Sequence, residues 1–330
     1  MRSTQGRRSV AAGIAALAFG AAAHAQMSNT ARAPERSTPR SERAWQLTAS
    51  AFAAYDSNIT LVAEDALQGY AGGLRAGAQA NGSWRLLDGD RLEAGIGGLL
   101  TQTTTQGEDD ADEFDLTTVS PRAWAALKLP FGERTARVQI DYGYRRDWLE
   151  GDDFERRHVS RISARVPLSD RIDAAFHYGV DLKEFDASGL HAFNARRDAE
   201  HHRTGVELRW LAEDARNEVS FGYEFLRNLA EQNEFDFDGH GVSARARTRL
   251  PLRLPLWLDL LASYTDVDYE RVALSPRREA RIQLYRTALL VPLSPQLVVE
   301  TSYAYLRMGA DEARFRTKRH LVTSTLSYHF

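Results

Sequence analysis

Arg245, Arg247 and Arg249 occupy every second position of one segment, so in an extended strand all three side chains leave the same face. Arg75, Arg85, Arg122, Arg137, Arg145, Arg161, Arg165, Arg203 and Arg209 fall on the matching polar positions of other segments. Such an array supports two kinds of chemistry. Fixed positive charge in a low-dielectric passage raises the local concentration of an anionic solute and guides it. Alternatively the arginines pair across strands with Glu207, Glu218, Glu224, Asp141, Asp173, Asp181, Asp259 and Glu300, which share the same positions. Pairing carries somewhat more weight, because opposite charges are the ordinary content of a polar interior built from strands.

Other chemistry is thinly represented. Glu108, Asp109, Asp110, Asp112, Glu113 and Asp115 could attract divalent cations. They lack the glycine and terminal glutamate spacing of a helix-loop-helix calcium site, so they read as a solvated loop. His177, His191, His201, His202, His240, His320 and His329 are available as ligands or bases, but no H-E-x-x-H or G-x-S-x-G pattern assigns any of them a role. No catalytic residue, metal or cofactor is expected. The absence of cysteine excludes disulfides, thiolate metal sites and cysteine nucleophiles.

The elements that position these residues follow from a period of two. Trp45, Leu47, Ala49, Ala51, Ala53 and Tyr55 alternate with Gln46, Thr48 and Ser50, and Leu74, Ala76, Ala78, Ala80, Trp84 and Leu86 alternate with Arg75, Gln79, Asn81, Ser83 and Arg85. Asp88-Gly89-Asp90 then makes a tight turn into a strand that starts at Leu92. Further strands are predicted near 117–129, 135–147, 158–168, 171–183, 203–211, 217–227, 240–250, 256–266, 281–291, 297–307 and 317–330. Short connections, such as Phe131-Gly132 and Ser294-Pro295, alternate with longer ones, such as Leu149 to Glu155 and Glu184 to His202. This is the pattern of an all-β, transmembrane, antiparallel β-barrel of about fourteen strands. Aromatics support it. Tyr55, Tyr142, Tyr144, Tyr178, Tyr223, Tyr264, Tyr303 and Tyr305 come late on one set of apolar faces, and Trp84, Trp210, Tyr328 and Phe330 late on the other, giving two interfacial girdles.

The remainder of the chain fits an exported barrel. Met1 to Ala25 has a basic start (Arg2, Arg7, Arg8), an apolar stretch and the Ala23-His24-Ala25 cleavage pattern of a secretory signal. Gln26 to Arg43 reads as a flexible periplasmic leader, and 44–330 as the barrel, with both termini periplasmic. Without the three signal arginines the formal charge moves from -3 to -6, and no basic run carries interleaved aromatics, so nucleic acid is excluded as a partner. The expected location is the outer membrane of a Gram-negative bacterium, in contact with lipid and lipopolysaccharide. The terminal stretch with Leu326, Tyr328 and Phe330 on one face is the expected signal to the barrel assembly machinery.

Tyr55-Asp56-Ser57-Asn58-Ile59, where the first strand leaves the membrane, resembles the Y-D-S-N-[IV] signature of barrels that follow tetratricopeptide repeats, including the C-terminal domain of the surface lipoprotein assembly modifier family. Ser83-Trp84-Arg85-Leu86-Leu87 and the aromatic terminus extend the resemblance. It implies a barrel of this size that helps to deliver a lipoprotein cargo to the cell surface. The helical repeat domain of that family is not expected here, since Gln26 to Arg43 is shorter than one repeat of ~34 residues. Read physically, the pentad is an Asx-type turn in which Asp56 and Asn58 bond local backbone. The alternative function is a solute porin with an arginine-rich, anion-favouring lumen.

Overall fold

A computed structural model describes residues 44–58, 72–107, 115–186, 198–212, 216–231, 235–269, 278–310 and 316–330. Through them run fourteen strands: β1 (Trp45–Asp56), β2 (Gly73–Asp88), β3 (Leu92–Gly107), β4 (Leu116–Phe131), β5 (Arg134–Leu149), β6 (Asp152–Pro167), β7 (Ile172–Phe185), β8 (Ala199–Leu211), β9 (Asn217–Ala230), β10 (Phe237–Leu250), β11 (Leu256–Tyr269), β12 (Arg278–Pro292), β13 (Leu297–Ala310) and β14 (Thr317–His329). Each is antiparallel to the next, and β14 pairs back onto β1, so the sheet closes into a barrel with no free edge. The fourteen-stranded antiparallel barrel expected from the alternation is the fold observed. The expected signal and leader (1–43), Ile59 and the acidic positions 108–113 lie outside the described residues.

One face of every strand is apolar and open. Leu74, Ile140, Phe176, Leu208, Phe221 and Val242 are among the large hydrophobics left exposed. A molecule surrounded by water does not keep a continuous apolar band of this extent, whereas a bilayer covers it. Tyr55, Tyr142, Tyr178, Tyr223, Tyr264 and Tyr303 mark the edge of this band toward the rim of longer connections. Trp45, Trp84, Trp210, Tyr328 and Phe330 mark the edge toward the rim of short turns.

The polar face is the inner one, because its side chains meet across intervening strands. Arg137 on β5 reaches Glu93 on β3 at 2.8 Å over β4, and His177 on β7 reaches Glu224 on β9 at 3.1 Å over β8. Only on the concave side of a curved sheet do side chains of next-nearest strands converge.

Strand ends at the short-turn rim agree with the sequence pattern within two residues, but at the other rim the strands run further. β6 starts at Asp152 rather than 158, β8 at Ala199 rather than 203, and β9, β11 and β13 end three residues later than expected. The clearest correction is the connection from Leu149 to Glu155. It is a two-residue turn, Glu150–Gly151, with both φ angles positive (55° and 92°), the mirror-image geometry that suits twisted strands. The charges at this tip pair with one another: Arg146 donates from Nε to Asp153 at 2.8 Å, and Arg156 donates to the same carboxylate at 3.0 Å. This tip projects beyond the apolar band. There the Arg146 guanidinium, followed by Arg156, holds the Asp153 carboxyl at about 2, below the usual carboxylate range.

Candidate functional site: the inner wall

Register fixes which side chains face inward. Arg75 and Arg85 on β2, Arg137 on β5, Arg161 and Arg165 on β6, Arg209 on β8, Glu218 and Glu224 on β9, Arg245, Arg247 and Arg249 on β10, and Asp259 on β11 all lie on the polar face. Arg122, Arg145, Arg203, Asp141, Asp173, Asp181, Glu207 and Glu300 share it.

Most of the arginines are held by carboxylates. Arg209 meets Asp173 at 2.5 Å and Arg203 meets Asp181 at 3.2 Å, both between β8 and β7. Arg145 and Asp147 are 2.8 Å apart along β5, and Arg157 and Glu155 2.6 Å apart along β6. Glu93 takes both Lys128, at 2.7 Å, and Arg137. Arg286 pairs with Glu300. At the short-turn rim Arg85 lies 2.6 Å from Asp88. The wall is therefore largely a belt of cross-strand ion pairs, which stabilise the sheet and leave little of their charge for a passing solute.

The row of three arginines on β10 does not act as one ladder. Arg245 donates to Asp259 in a two-pronged contact, with Nε 3.1 Å from Oδ1. Arg247 lies 5.6 Å from the Trp257 ring centre in a cation–π arrangement. Arg249 is exposed at the short-turn rim, as is Arg122 on β4 midway along the wall.

Aromatic rings also line the inner face, which the sequence pattern does not reveal. Phe52 is directly opposite Gly77 and Trp124 directly opposite Gly95. A Cβ on Gly95 would sit 2.8 Å from the Trp124 ring, so the glycine makes room for the indole to lie against the backbone. Arg137 then stacks 5.6 Å from the same ring centre. Beside the charged Asp259, Arg286 and Glu300, the inner face of β11 to β13 also holds an apolar patch, where Leu284 and Leu306 pack with Leu261, Ile282 and Ala304. With Tyr285, Leu289 and Val291 facing outward and Ile282, Leu284 and Leu290 inward, β12 carries apolar residues on both faces, and Arg286 marks its inner face with charge.

The Tyr55 motif closes the barrel. Asp56 is fully buried and accepts from Arg319 Nε at 2.9 and 3.0 Å, with a further contact from the guanidinium NH2. Asn58 N donates to Asp56 Oδ1 at 3.2 Å, which is the Asx turn read from the sequence. Asn58 Nδ2 then donates to Thr317 Oγ1 at 3.0 Å and to the Lys318 carbonyl at 3.1 Å. Arg319 was missed at the sequence level, although the alternation of β14 places it inward beside Thr317 and Leu321. At the other end of the seam, Phe330 N donates to the Leu47 carbonyl at 2.9 Å, and Leu326, Tyr328 and Phe330 face outward.

A closed fourteen-stranded barrel with an apolar outer band, two aromatic girdles and a charged inner wall is a transmembrane β-barrel. No family model and no curated protein sequence matches the chain. Solved structures that are similar to it include OccAB4 of Acinetobacter baumannii, at 8% identity over 89% of this chain and 100% of that chain, with a TM-score of 0.47. Another is an anion-selective porin from Comamonas acidovorans, at 11% identity over 87% of this chain and 98% of that one (TM-score 0.46). A third is OmpT of Vibrio cholerae, at 9% over 87% and 99% (TM-score 0.46). At this level of similarity, function has to be argued from the wall of this barrel.

Proposed function

We propose that this chain is an outer-membrane channel of a Gram-negative bacterium that favours small anionic solutes. One observation carries the proposal. Most inner-face carboxylates are taken up in pairs, whereas Arg122 and Arg249 stay exposed on the inner face with no ion-pair partner among the described residues; Glu207 and Asp141 are the inner-face carboxylates in the same position. Fixed positive charge on a wall backed by lipid concentrates anions. Fourteen strands give a wider bore than the eight-stranded barrels whose side chains fill them.

In this reading the short turns, Trp45 and Phe330 face the periplasm, as the turn-length rule for such barrels requires. Met1 to Ala25 is the export signal, Gln26 to Arg43 the periplasmic leader, and the outward Leu326, Tyr328 and Phe330 are read by the barrel assembly machinery. A second reading, surface delivery of a lipoprotein cargo of the assembly-modifier type, rests on the Tyr55 motif. Asp56, Ser57 and Asn58 are engaged at the seam, and that role is needed in either reading.

The deciding experiment is the conductance of the refolded barrel in a planar bilayer under a salt gradient. Stable steps with a reversal potential on the anion side are expected. Cation preference overturns the anion-channel proposal, and silence from a barrel verified as folded overturns the channel reading in favour of cargo delivery.

A further inference from the structure

On the outward face, four hairpins repeat one contact. The Tyr142 hydroxyl lies 2.8 Å from Nδ1 of His158, Tyr178 2.9 Å from His202, Tyr223 2.7 Å from His240 and Tyr303 2.8 Å from His320. In each case the histidine sits two residues nearer the long-connection rim than the residue directly opposite the tyrosine, namely Ser160, Thr204, Val242 and Val322. A girdle needs only the tyrosines. Each histidine adds a second ring nitrogen at the upper edge of the apolar band, where an unsatisfied N–H is costly.

Where the tyrosine hydroxyl donates to Nδ1, the proton is on Nε2, on the far side of the ring, and that N–H is the group that takes a partner. At His202 the chain supplies one, Glu200 Oε1 at 3.1 Å. At His158, His240 and His320 the described residues supply none. Among the described residues nothing occupies Nε2 at these three rings, so an acceptor from the surroundings can.

Its chemistry is best defined at β13–β14. Arg307 is the outward residue just beyond Tyr305, and Lys318 stands directly opposite it. The two place positive charge side by side on the outward face at this rim, which favours an anion there. Arg307 is exposed and has no ion pair among the described residues. The Tyr305 ring packs 5.0 Å from the His320 ring, and the His320 backbone is pinned by Ser57, whose N donates to its carbonyl at 2.9 Å and whose Oγ accepts from its N at 2.8 Å. A rigidly placed N–H donor and a guanidinium thus stand at the top of an apolar strip containing Val322 and Leu326. That combination suits a phosphate whose acyl chains run down the strip.

We infer that the outward face of β13–β14 binds a phosphate of lipid A in the surrounding leaflet, with His320 Nε2 and Arg307 as the donors. The inference rests on the outer-membrane placement proposed above and is independent of what passes through the lumen.

The test is retention of added lipid A by the full-length barrel in detergent, read by native mass spectrometry, with dephosphorylated lipid A and phosphatidylcholine as comparison probes. The wild type is expected to retain lipid A over both. Loss of two charge-assisted contacts in R307Q/H320Q should lower retention on the order of 10-fold, R307K should recover part of it, and H202Q should match the wild type because Glu200 already satisfies that ring. Unchanged retention in R307Q/H320Q, or equal binding of dephosphorylated lipid A, overturns the site. Equal binding of phosphatidylcholine overturns the choice of lipid A in favour of a generic phosphodiester. Unfolded variants are recognised by loss of the heat-dependent gel shift, and R307K then carries the comparison. The same variants should keep wild-type conductance and anion preference, so failure of the lipid site and failure of the channel reading give different results.

Discussion

Asp56, near the end of the first strand, and Arg319, near the start of the last, form a buried bidentate ion pair across the seam where the barrel closes. Arg75 adds a second cation 3.7 Å from the same carboxylate. The first and last strands find each other from opposite ends of the chain, and closing a loop of that length is entropically unfavourable. A buried charged network at the long-connection end of the seam fixes the register as well as the closure, and Asn58, Ser57 and Thr317 extend it.

Removing one partner should expose this dependence. Asp56→Ala leaves two inward cations without their shared carboxylate, which is expected to cost ~3–5 kcal/mol. The measurement is the midpoint temperature of the heat-dependent gel shift of the refolded barrel, with refolding yield alongside. The double change D56A/R319A should cost less than the sum of the single changes, since it removes the carboxylate together with its bidentate partner.

How much of this was legible beforehand depends on which residues carried the signal. Tyr55, Ile140, Phe221 and Leu326 announce an outward band through strict alternation, and the strand count follows because lipid constrains one face of every strand. Asp56 was legible as an Asx turn, but its partner lies 263 positions away, and no local pattern connects them. Asp153 read as loop and Arg156 lay before the expected start of the next strand, because charge usually ends a strand, whereas here both face Arg146 across a hairpin that stands clear of the membrane. On the inner wall, faces could be assigned but partners could not. Whether Arg245 is free or clamped depends on its position beside Asp259 on the next strand, and that is a matter of register.

The β5–β6 tip offers a pH test. With its folded carboxyl held at about 2 against an ordinary 3.8, Asp153 contributes to hairpin order fully above the unfolded value, and this contribution fades as pH falls through about 2. Carboxyl carbon NMR of the refolded barrel should show this depressed titration, and Arg146→Gln should move it back toward the usual range. Gly151→Ala, at φ 92°, is expected to cost ~1–2 kcal/mol of local order, visible as faster proteolytic nicking at the turn.

Trp124 tests the packing of the inner wall. Gly95→Val drives a branched side chain into the indole and should lower the gel-shift midpoint by an amount equivalent to ~1–3 kcal/mol. Trp124→Ala acts in the opposite sense on the bore. It removes the ring that lies between β3 and the Arg137 guanidinium, so single-channel conductance should rise while the Arg137–Glu93 pair persists.

The arginines separate stability from selectivity. Arg245→Gln leaves Asp259, which is almost wholly buried, without its bidentate partner, so the barrel should lose stability and the wall should gain a net negative charge. Arg249→Gln and Arg122→Gln remove exposed cations that have no ion-pair partner among the described residues, so their gel-shift midpoints should stay within the range of ordinary surface changes, ~0.5 kcal/mol. The reversal potential should nevertheless fall toward neutrality in both, and further in the double variant, if these side chains line the path. A triple change of Arg245, Arg247 and Arg249 confounds the two effects, because it unpairs Asp259 while stripping Trp257 of its cation. The informative comparison is R249Q/R122Q against R245Q. Loss of anion preference confined to R245Q would place the selective field at the Asp259 pair, and unchanged preference in all three would remove the arginines from the permeation path.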